Sequence, residues 1–438
     1  MRKLVLLVAT LCFISPVTRA ARPFDTLTWE TKNGARVVFY QAMEVPMLDI
    51  SVAFAAGSAY DGEAFGLSSL TTRLLNQGNG GLDANAIAEQ LAETGAQYEG
   101  GSNKDMVAVN LKTLTRPDAL KKATETFASI IAHPDFSEVA FNREKKQQLM
   151  AITQAAESPD DVANETFYQI LYKNHPYAHP ILGNRESINL LNVEKVHDFY
   201  QRFFVSRNAI IVLVGAIDKT TAQQLAERIT QDLPKGQPAD TIPMADALSE
   251  EMDVEVQFPS SQTILRLGQL GISHHDSHYF PLMVGNYILG GGALVSRLSN
   301  ELREKRGLTY GVYSQFSPMP GKGPFLIGLS TKKSQAKTAI DVTREGLTSF
   351  IQTGPDEQEL RAAKQYLTGS FPLSLASNRS IADMLLKIAF YHLPDSYLHT
   401  YVDRINAVSA DEIKQAFQKL IEPNKLLQVS VGKAVAST

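Results

Sequence analysis

The sequence predicts an α+β protein built from two homologous halves, each an antiparallel-rich sheet with helices packed on one face. The first observation behind this is an internal repeat. An apolar stripe at helical spacing, Leu120, Phe127, Ile130 and Ile131, returns as Ile340, Leu347, Phe350 and Ile351 at an offset of 220. Ser137-Glu138 with Phe141 and Lys145 returns as Asp356-Glu357 with Leu360 and Lys364 at an offset of 219. Val196, Phe203, Val214 and Gly215 return as Ile413, Leu420, Val431 and Gly432 at an offset of 217. Three blocks in one order at nearly one offset mark a duplicated unit. The second observation is strand-type patterning in both halves. Leu48, Ile50, Val52 and Phe54 alternate with other residues, and 106–111 and 325–329 are rich in apolar and β-branched side chains. The third is that these strands are mixed with helical stretches, the pattern of a sheet carrying helices on a face.

Taken in chain order, the first element is a leader. Arg2 and Lys3 precede an apolar run from Leu4 to Ile14, followed by Thr18-Arg19-Ala20. A basic start, a short apolar stretch and small residues at −3 and −1 form a secretory signal, with cleavage expected after Ala20. The run is too short to cross a ~30 Å hydrocarbon layer as a helix. Cys12 lies inside it and follows Leu11, unlike a lipid-attachment cysteine. Residues 21–232 then form the first half. Residues 233–252, with Pro234, Gly236, Pro238 and Pro243 and the acidic end Glu250-Glu251, read as a linker. Residues 253–438 form the second half. The expected location is exported, periplasmic in a bacterium.

Composition narrows the function classes. Of 438 residues, 44% are apolar and 20% charged, the balance of a soluble globular chain. With 42 Lys+Arg against 46 Asp+Glu and no basic block, nucleic acid is not the expected partner. Loss of Arg2, Lys3 and Arg19 with the leader would move the net charge from −4 to −7. A single cysteine excludes a disulfide scaffold and a cysteine-based zinc site. There is no phosphate loop and no G-x-S-x-G nucleophile elbow. The glycine-rich 76–81 segment reads as a turn before a helix capped by Asp83. His274-His275-Asp276-Ser277-His278 lacks the i, i+4 spacing of two ligands on one helix face and reads as a solvated loop. His175 and His179, separated by Pro176, read as a shaped loop.

One region is more specific. Leu289-Gly290-Gly291-Gly292 precedes Ser296-Arg297-Leu298 and then Leu302-Arg303-Glu304-Lys305-Arg306-Gly307-Leu308-Thr309-Tyr310. With Gly66-Leu67, Thr94-Gly95-Ala96 and His175-Pro176-Tyr177, this run resembles the pitrilysin/insulinase class of zinc peptidases, over essentially the whole mature chain. The resemblance implies two α+β halves forming one wall of a peptide-binding chamber. It also implies an inverted H-x-x-E-H zinc motif, with a further glutamate downstream. Aligned on Gly66-Leu67, that motif falls on Ser69, Leu70, Thr71, Thr72 and Arg73, and the distal glutamate on Ala151, after Glu144. None of the four groups is present. Arg73 has no lone pair to offer and would repel a dication.

The same resemblance gives Arg303 and Tyr310, seven residues apart, the family's role of binding the scissile carbonyl and stabilising the charged intermediate. Arg303 is expected at a helix end, with Gly307 turning the chain so that Tyr310 starts a strand. The expectation is a zinc-free subunit with no cofactor of its own. Its partner would be a homologous zinc-bearing subunit and its substrate a peptide or unfolded segment. The alternative is a non-catalytic peptide-binding or assembly protein, taking a peptide at a sheet edge without a metal.

Overall fold

The computed structural model describes residues 24–432; the leader and its cleavage point lie outside these residues. The first half opens with strands β1 (Leu27–Glu30), β2 (Arg36–Gln41) and β3 (Met47–Phe54), followed by helix α1 (Leu67–Leu74). A two-residue ribbon, β4 (Gly78–Asn79) with β5 (Leu82–Asp83), forms the glycine-rich turn and leads into α2 (Ala84–Glu93). Asp83 caps α2 by accepting from Ala86 N at 2.8 Å. Then come β6 (Gln97–Ser102), β7 (Val107–Leu114), α3 (Pro117–Ala132), α4 (Glu138–Ala156), α5 (Pro159–Tyr172), α6 (Arg185–Asn189), α7 (Val193–Phe203), β8 (Ala209–Gly215) and α8 (Lys219–Thr230). The segment 234–251 has neither helix nor strand.

The second half holds β9 (Met252–Gln257), β10 (Gln262–Leu270), α9 (Tyr279–Asn286), α10 (Arg297–Ser299), β11 (Thr309–Phe316) and β12 (Pro324–Lys332). It ends with α11 (Ala336–Thr353), α12 (Glu357–Ser370), α13 (Asn378–Phe390), α14 (Tyr397–Ala407), α15 (Ala410–Leu420) and β13 (Leu427–Gly432).

The repeat seen in the sequence is a repeat of topology. The first sheet runs β1-β2-β8-β3-β7-β6 and the second β11-β12-β10-β13-β9. Without β1, and with the second order reversed, β2, β8, β3, β7 and β6 correspond to β9, β13, β10, β12 and β11. The one parallel pair in each sheet also corresponds: β2 with β8, and β13 with β9. Helix starts repeat too. Ser137 caps α4 and Asp356 caps α12, each accepting a backbone N–H of the first turn.

Each sheet packs its own half's helices on one face. In the first core, Val37, Phe39, Ile50, Val52, Ile211 and Leu213 meet α1, α3 and α7. Leu265, Leu267, Phe325 and Ile327 do the equivalent in the second. The opposite face of each sheet receives one helix from the other half. Ala163, Phe167 and Leu171 of α5 pack on Ile264, Leu326 and Val429 of the second sheet. Ile381, Ala382 and Leu385 of α13 pack on Val38, Ala53, Val212 and Val214 of the first. α5 and α13 are themselves repeat equivalents, so the exchange is reciprocal.

Arg266 on β10, 2% exposed, secures one side: its Nη2 and Nε donate to Asp160 Oδ1 at 2.5 Å and Asn164 Oδ1 at 2.8 Å on α5. No helix among the described residues is long and apolar enough to cross a membrane.

Candidate functional site

Arg303 and Tyr310 meet where an irregular helix runs into an irregular strand. Ser296 caps α10, its hydroxyl accepting from Ser299 N at 3.3 Å. The helix then widens into a π turn, Asn300–Glu304, with Lys305 N donating to Asn300 O at 3.0 Å. Gly307, at φ +60°, takes the left-handed conformation that ends helices. Its N–H donates to Arg303 O at 3.0 Å, and Leu308 N donates to Leu302 O at 2.8 Å. Leu302 and Leu308 are buried in the second core, which anchors the turn.

The chain passes directly into β11, an edge strand of its sheet. Arg303 Cζ lies 5.1 Å from the centre of the Tyr310 ring. Tyr310 is 86% exposed, and the Arg303 side chain 30%. The nearest carboxylate, Glu304, has Oε1 at 3.5 Å from Arg303 Nε and is itself half-exposed. A guanidinium and a phenol, both hydrogen-bond donors, are thus held side by side and open to solvent.

The segment aligned with the zinc motif is α1. Its start is tightly built. Gly66 sits at φ +90°, and a Cβ there would fall 2.4 Å from Leu182 O. Buried Asp61 accepts from Gly66 N and Ser68 N, both at 2.7 Å. Burial pushes its carboxyl up to about 8, with those two N–H donors pulling the other way. Further along, Ser69 and Thr72 are buried, and Thr72 Oγ1 donates to Ser68 O at 2.7 Å. Arg73 Nη2 donates to Glu144 Oε2 at 2.9 Å and Gln147 Oε1 at 2.7 Å, both on α4. Glu144 is only 6% exposed and also lies 3.4 Å from Arg143 Nε.

The aligned ligand and base positions therefore hold two hydroxyls, a guanidinium and a methyl group, with Arg73 tied into an ion pair. This donor set does not fit zinc. Among the described residues, no three His, Cys, Asp or Glu side chains are grouped to hold a metal ion.

A cleft of about 610 Å³ lies between the halves, lined by Lys104, Asp161, Glu165 and Tyr168 of the first and Tyr313 and Tyr391 of the second. Its base is a hydrogen-bonded hub. Asp105 accepts from Tyr177 Oη at 2.6 Å and Tyr391 Oη at 2.9 Å, which ties the halves together. Burial raises the Asp105 carboxyl against those two donors. Lys104 Nζ donates to Tyr177 O and His179 O, both at 2.9 Å, and burial pulls it down to about 8. Burial also raises Glu165, and the neighbouring Asp161 adds to this.

Two family profiles match the chain: insulinase (peptidase family M16) over residues 36–185, and the peptidase M16 inactive domain over 191–367. Among solved structures, a peptidase M16 inactive domain from Pseudomonas fluorescens is 36% identical with a TM-score of 0.91, covering 95% of this chain and all of that one. The chain belongs to the M16 (insulinase) peptidase family.

M16 relatives by sequence include an uncharacterized zinc protease YmxG of Bacillus subtilis, 24% identical, covering 89% of this chain and 94% of the relative. Another is a non-peptidase homolog YmxG of Helicobacter pylori, 26% identical, covering 92% and 93%. A protease from Helicobacter pylori shares the fold at a TM-score of 0.84, with 17% identity over 93% of this chain and 99% of that one.

Within this M16 chain the histidines have structural positions. His175 Nε2 donates to Pro243 O at 2.8 Å while its Nδ1 accepts from Tyr177 N at 3.1 Å. His179 is buried and stacks on Phe65 at 4.2 Å. His274 departs from the solvated-loop expectation. It stacks on Tyr391 at 3.7 Å, and neither ring nitrogen has a protein hydrogen-bond partner. Burial, and then the nearby Lys387 and His275, pull it down to about 3. The Arg73–Glu144 pair, the Asp105 hub and the Arg266 contacts join residues 71 or more apart, a separation that leaves no spacing signal in a sequence.

Proposed function

We propose that this chain is the zinc-free subunit of an exported two-chain metallopeptidase, supplying Arg303 and Tyr310 to peptide bound at a partner's zinc site. The single observation behind this reading is the Arg303–Tyr310 pair. A largely exposed tyrosine is braced against a guanidinium on an edge strand, and neither polar tip completes a hydrogen-bond network among the described residues. Donors set in advance around a developing oxyanion are the largest single source of rate enhancement in acyl-group chemistry. The Arg303 N–H groups and the Tyr310 O–H can each donate to an oxygen that gains charge when a peptide carbonyl is attacked. The zinc belongs to the partner, a homologous chain of similar size, because the α1 and α4 positions here do not fit it.

Co-purification from the exported fraction, followed by mass spectrometry, tests the partnership; the same material should begin at Ala21. In the mixed complex, Arg303→Ala and Tyr310→Phe should leave folding and partner binding intact. Each should lower turnover about 10²-fold, mainly in kcat. A second reading, a peptide-binding protein without catalysis, is favoured by the free edge of β6, where backbone groups of Gln97–Ser102 can pair with an added strand. Normal turnover in both variants, with the partner's zinc intact, selects that reading.

A further inference from the structure

β11 is not a regular strand. Thr309 pairs with Thr331 and Val312 with Leu329, so three steps on β11 face two on β12. One residue is extra, which makes this a β-bulge. Its effect shows in which side chains are covered. Thr309, Val312, Ser314 and Phe316 are buried, whereas Tyr310 and Gly311 are both exposed. In a regular strand, Tyr310 facing outward would force Val312 outward as well, because side chains alternate strictly. The bulge lets Tyr310 face solvent while Val312 stays in the core.

A bulge leaves ladder groups without partners, and Thr309 serves them. Its Oγ1 accepts from Gly311 N at 3.1 Å and lies 2.7 Å from both Gly311 O and Ser330 O, to one of which it donates. Gly311 lies on β11 and Ser330 on β12, so the hydroxyl sits against both strands at the irregular step. Next to it, Thr331 Oγ1 donates to Leu308 O at 2.5 Å, fixing the segment that enters the bulge.

We propose that Thr309 is the positioning residue for Tyr310: its hydroxyl holds the bulge in the one conformation that sets the phenol beside Arg303. This rests on the role proposed for the Arg303–Tyr310 pair, but the placement of the ring can be measured without a partner. Thr309 itself is buried. Thr309→Val keeps the size, the β-branch and the burial while removing the hydroxyl. Thr309→Ser keeps the hydroxyl.

The test labels the chain with 3-fluorotyrosine and follows the Tyr310 fluorine resonance, assigned by its loss in Tyr310→Phe. In Thr309→Val the resonance should broaden or move away from its wild-type position as the ring leaves the Arg303 guanidinium. In Thr309→Ser it should stay at the wild-type position. In the complex with the zinc-bearing partner, Thr309→Val should lower kcat roughly tenfold at unchanged KM, less than loss of the donor itself, and Thr309→Ser should restore it. An unchanged Tyr310 resonance in Thr309→Val overturns the proposal. So does wild-type kcat in Thr309→Val where Tyr310→Phe is impaired. If Tyr310→Phe turns over normally, the subunit reading falls instead, and the resonance alone decides the role of Thr309.

Discussion

Arg73→Ala should destabilise the chain by about 2 kcal/mol, and most of that loss should vanish when Glu144 is changed as well. Glu144 is 6% exposed and Arg73 Nη2 is 2.9 Å away. At that separation, in a medium of effective dielectric about 20, the gross attraction is roughly 6 kcal/mol. Much of it offsets the cost of taking the carboxylate out of water. Deleting one partner of a fully buried pair costs about 3–5 kcal/mol, because the other charge is stranded.

Two features lower the figure here: Arg73 is 38% exposed, and Arg143 Nε stays 3.4 Å from the carboxylate. Glu144→Gln strands no buried charge and should cost about 1 kcal/mol. The double variant Arg73→Ala/Glu144→Gln should then be close to Glu144→Gln alone, a coupling of about 1–2 kcal/mol. The assay is urea denaturation followed through Trp29, the chain's only tryptophan, which packs against the first core. Simple additivity of the two single changes would show that the guanidinium does not hold α1 to α4 as the geometry indicates.

The remaining predictions concern metal, pH and the join between the halves. Ser69→His, Thr72→Glu, Arg73→His and Ala151→Glu together should give a chain that retains about one zinc after dialysis, while Arg73→His alone retains none, since a single imidazole is not a site; elemental analysis decides, and a folded quadruple variant without zinc would refute the alignment. His274 lies near 3 in the folded chain against about 6.5 unfolded, so below pH 6.5 the unfolded state takes up a proton that the folded state does not, and stability falls as pH drops. Between pH 6.5 and 4.5 this amounts to about 2 kcal/mol, and His274→Phe, which keeps the stack on Tyr391, should remove that part of the acid loss from the denaturation curve. Residues 21–232 and 253–438 made separately should each lack a cooperative unfolding transition and regain one when refolded together; a full transition from either alone would refute the reciprocal-helix account.

Much of the fold is legible in the sequence because its signals are local. Alternation marks β3, helical stripes mark α3 and α11, and a polar cap before an apolar run marks α4 and α12. Duplication then makes each half a check on the other. The exchange of α5 and α13 is not legible, because an amphipathic helix has the same stripe whichever sheet it covers. Phe167 reads as a helix core residue, and nothing near it in the sequence points to Leu326. Arg266 reads as an outward charge on a strand; it is buried because α5, from the other half, brings Asp160 and Asn164 to it. The Arg303–Tyr310 spacing is visible, but the π turn and the bulge that bring the two side chains together are not. The π turn comes from main-chain hydrogen bonds and the bulge is bonded by the Thr309 hydroxyl, and no residue pattern specifies either.

Within the chain, the two candidate sites differ in how they relate to stability. At α1, the groups that replace a metal set are absorbed into the fold: Thr72 bonds its own helix, and Arg73 bonds Glu144 and Gln147. Removing them should disturb the first core, and they need no partner to account for their placement. Tyr310 is the opposite case. Its ring meets Arg303 at 5.1 Å, a contact worth about 0.5–1 kcal/mol at an exposed site, and most of its surface faces water. On the reading proposed above, keeping it there takes a bulge, a left-handed Gly307 and the Thr309 hydroxyl. On that reading, a side chain placed there for so little internal gain has its use outside the chain. In the proposed assembly, a zinc-bearing partner facing β11 would bring a peptide carbonyl to those two donors and give the strand's geometry a chemical purpose.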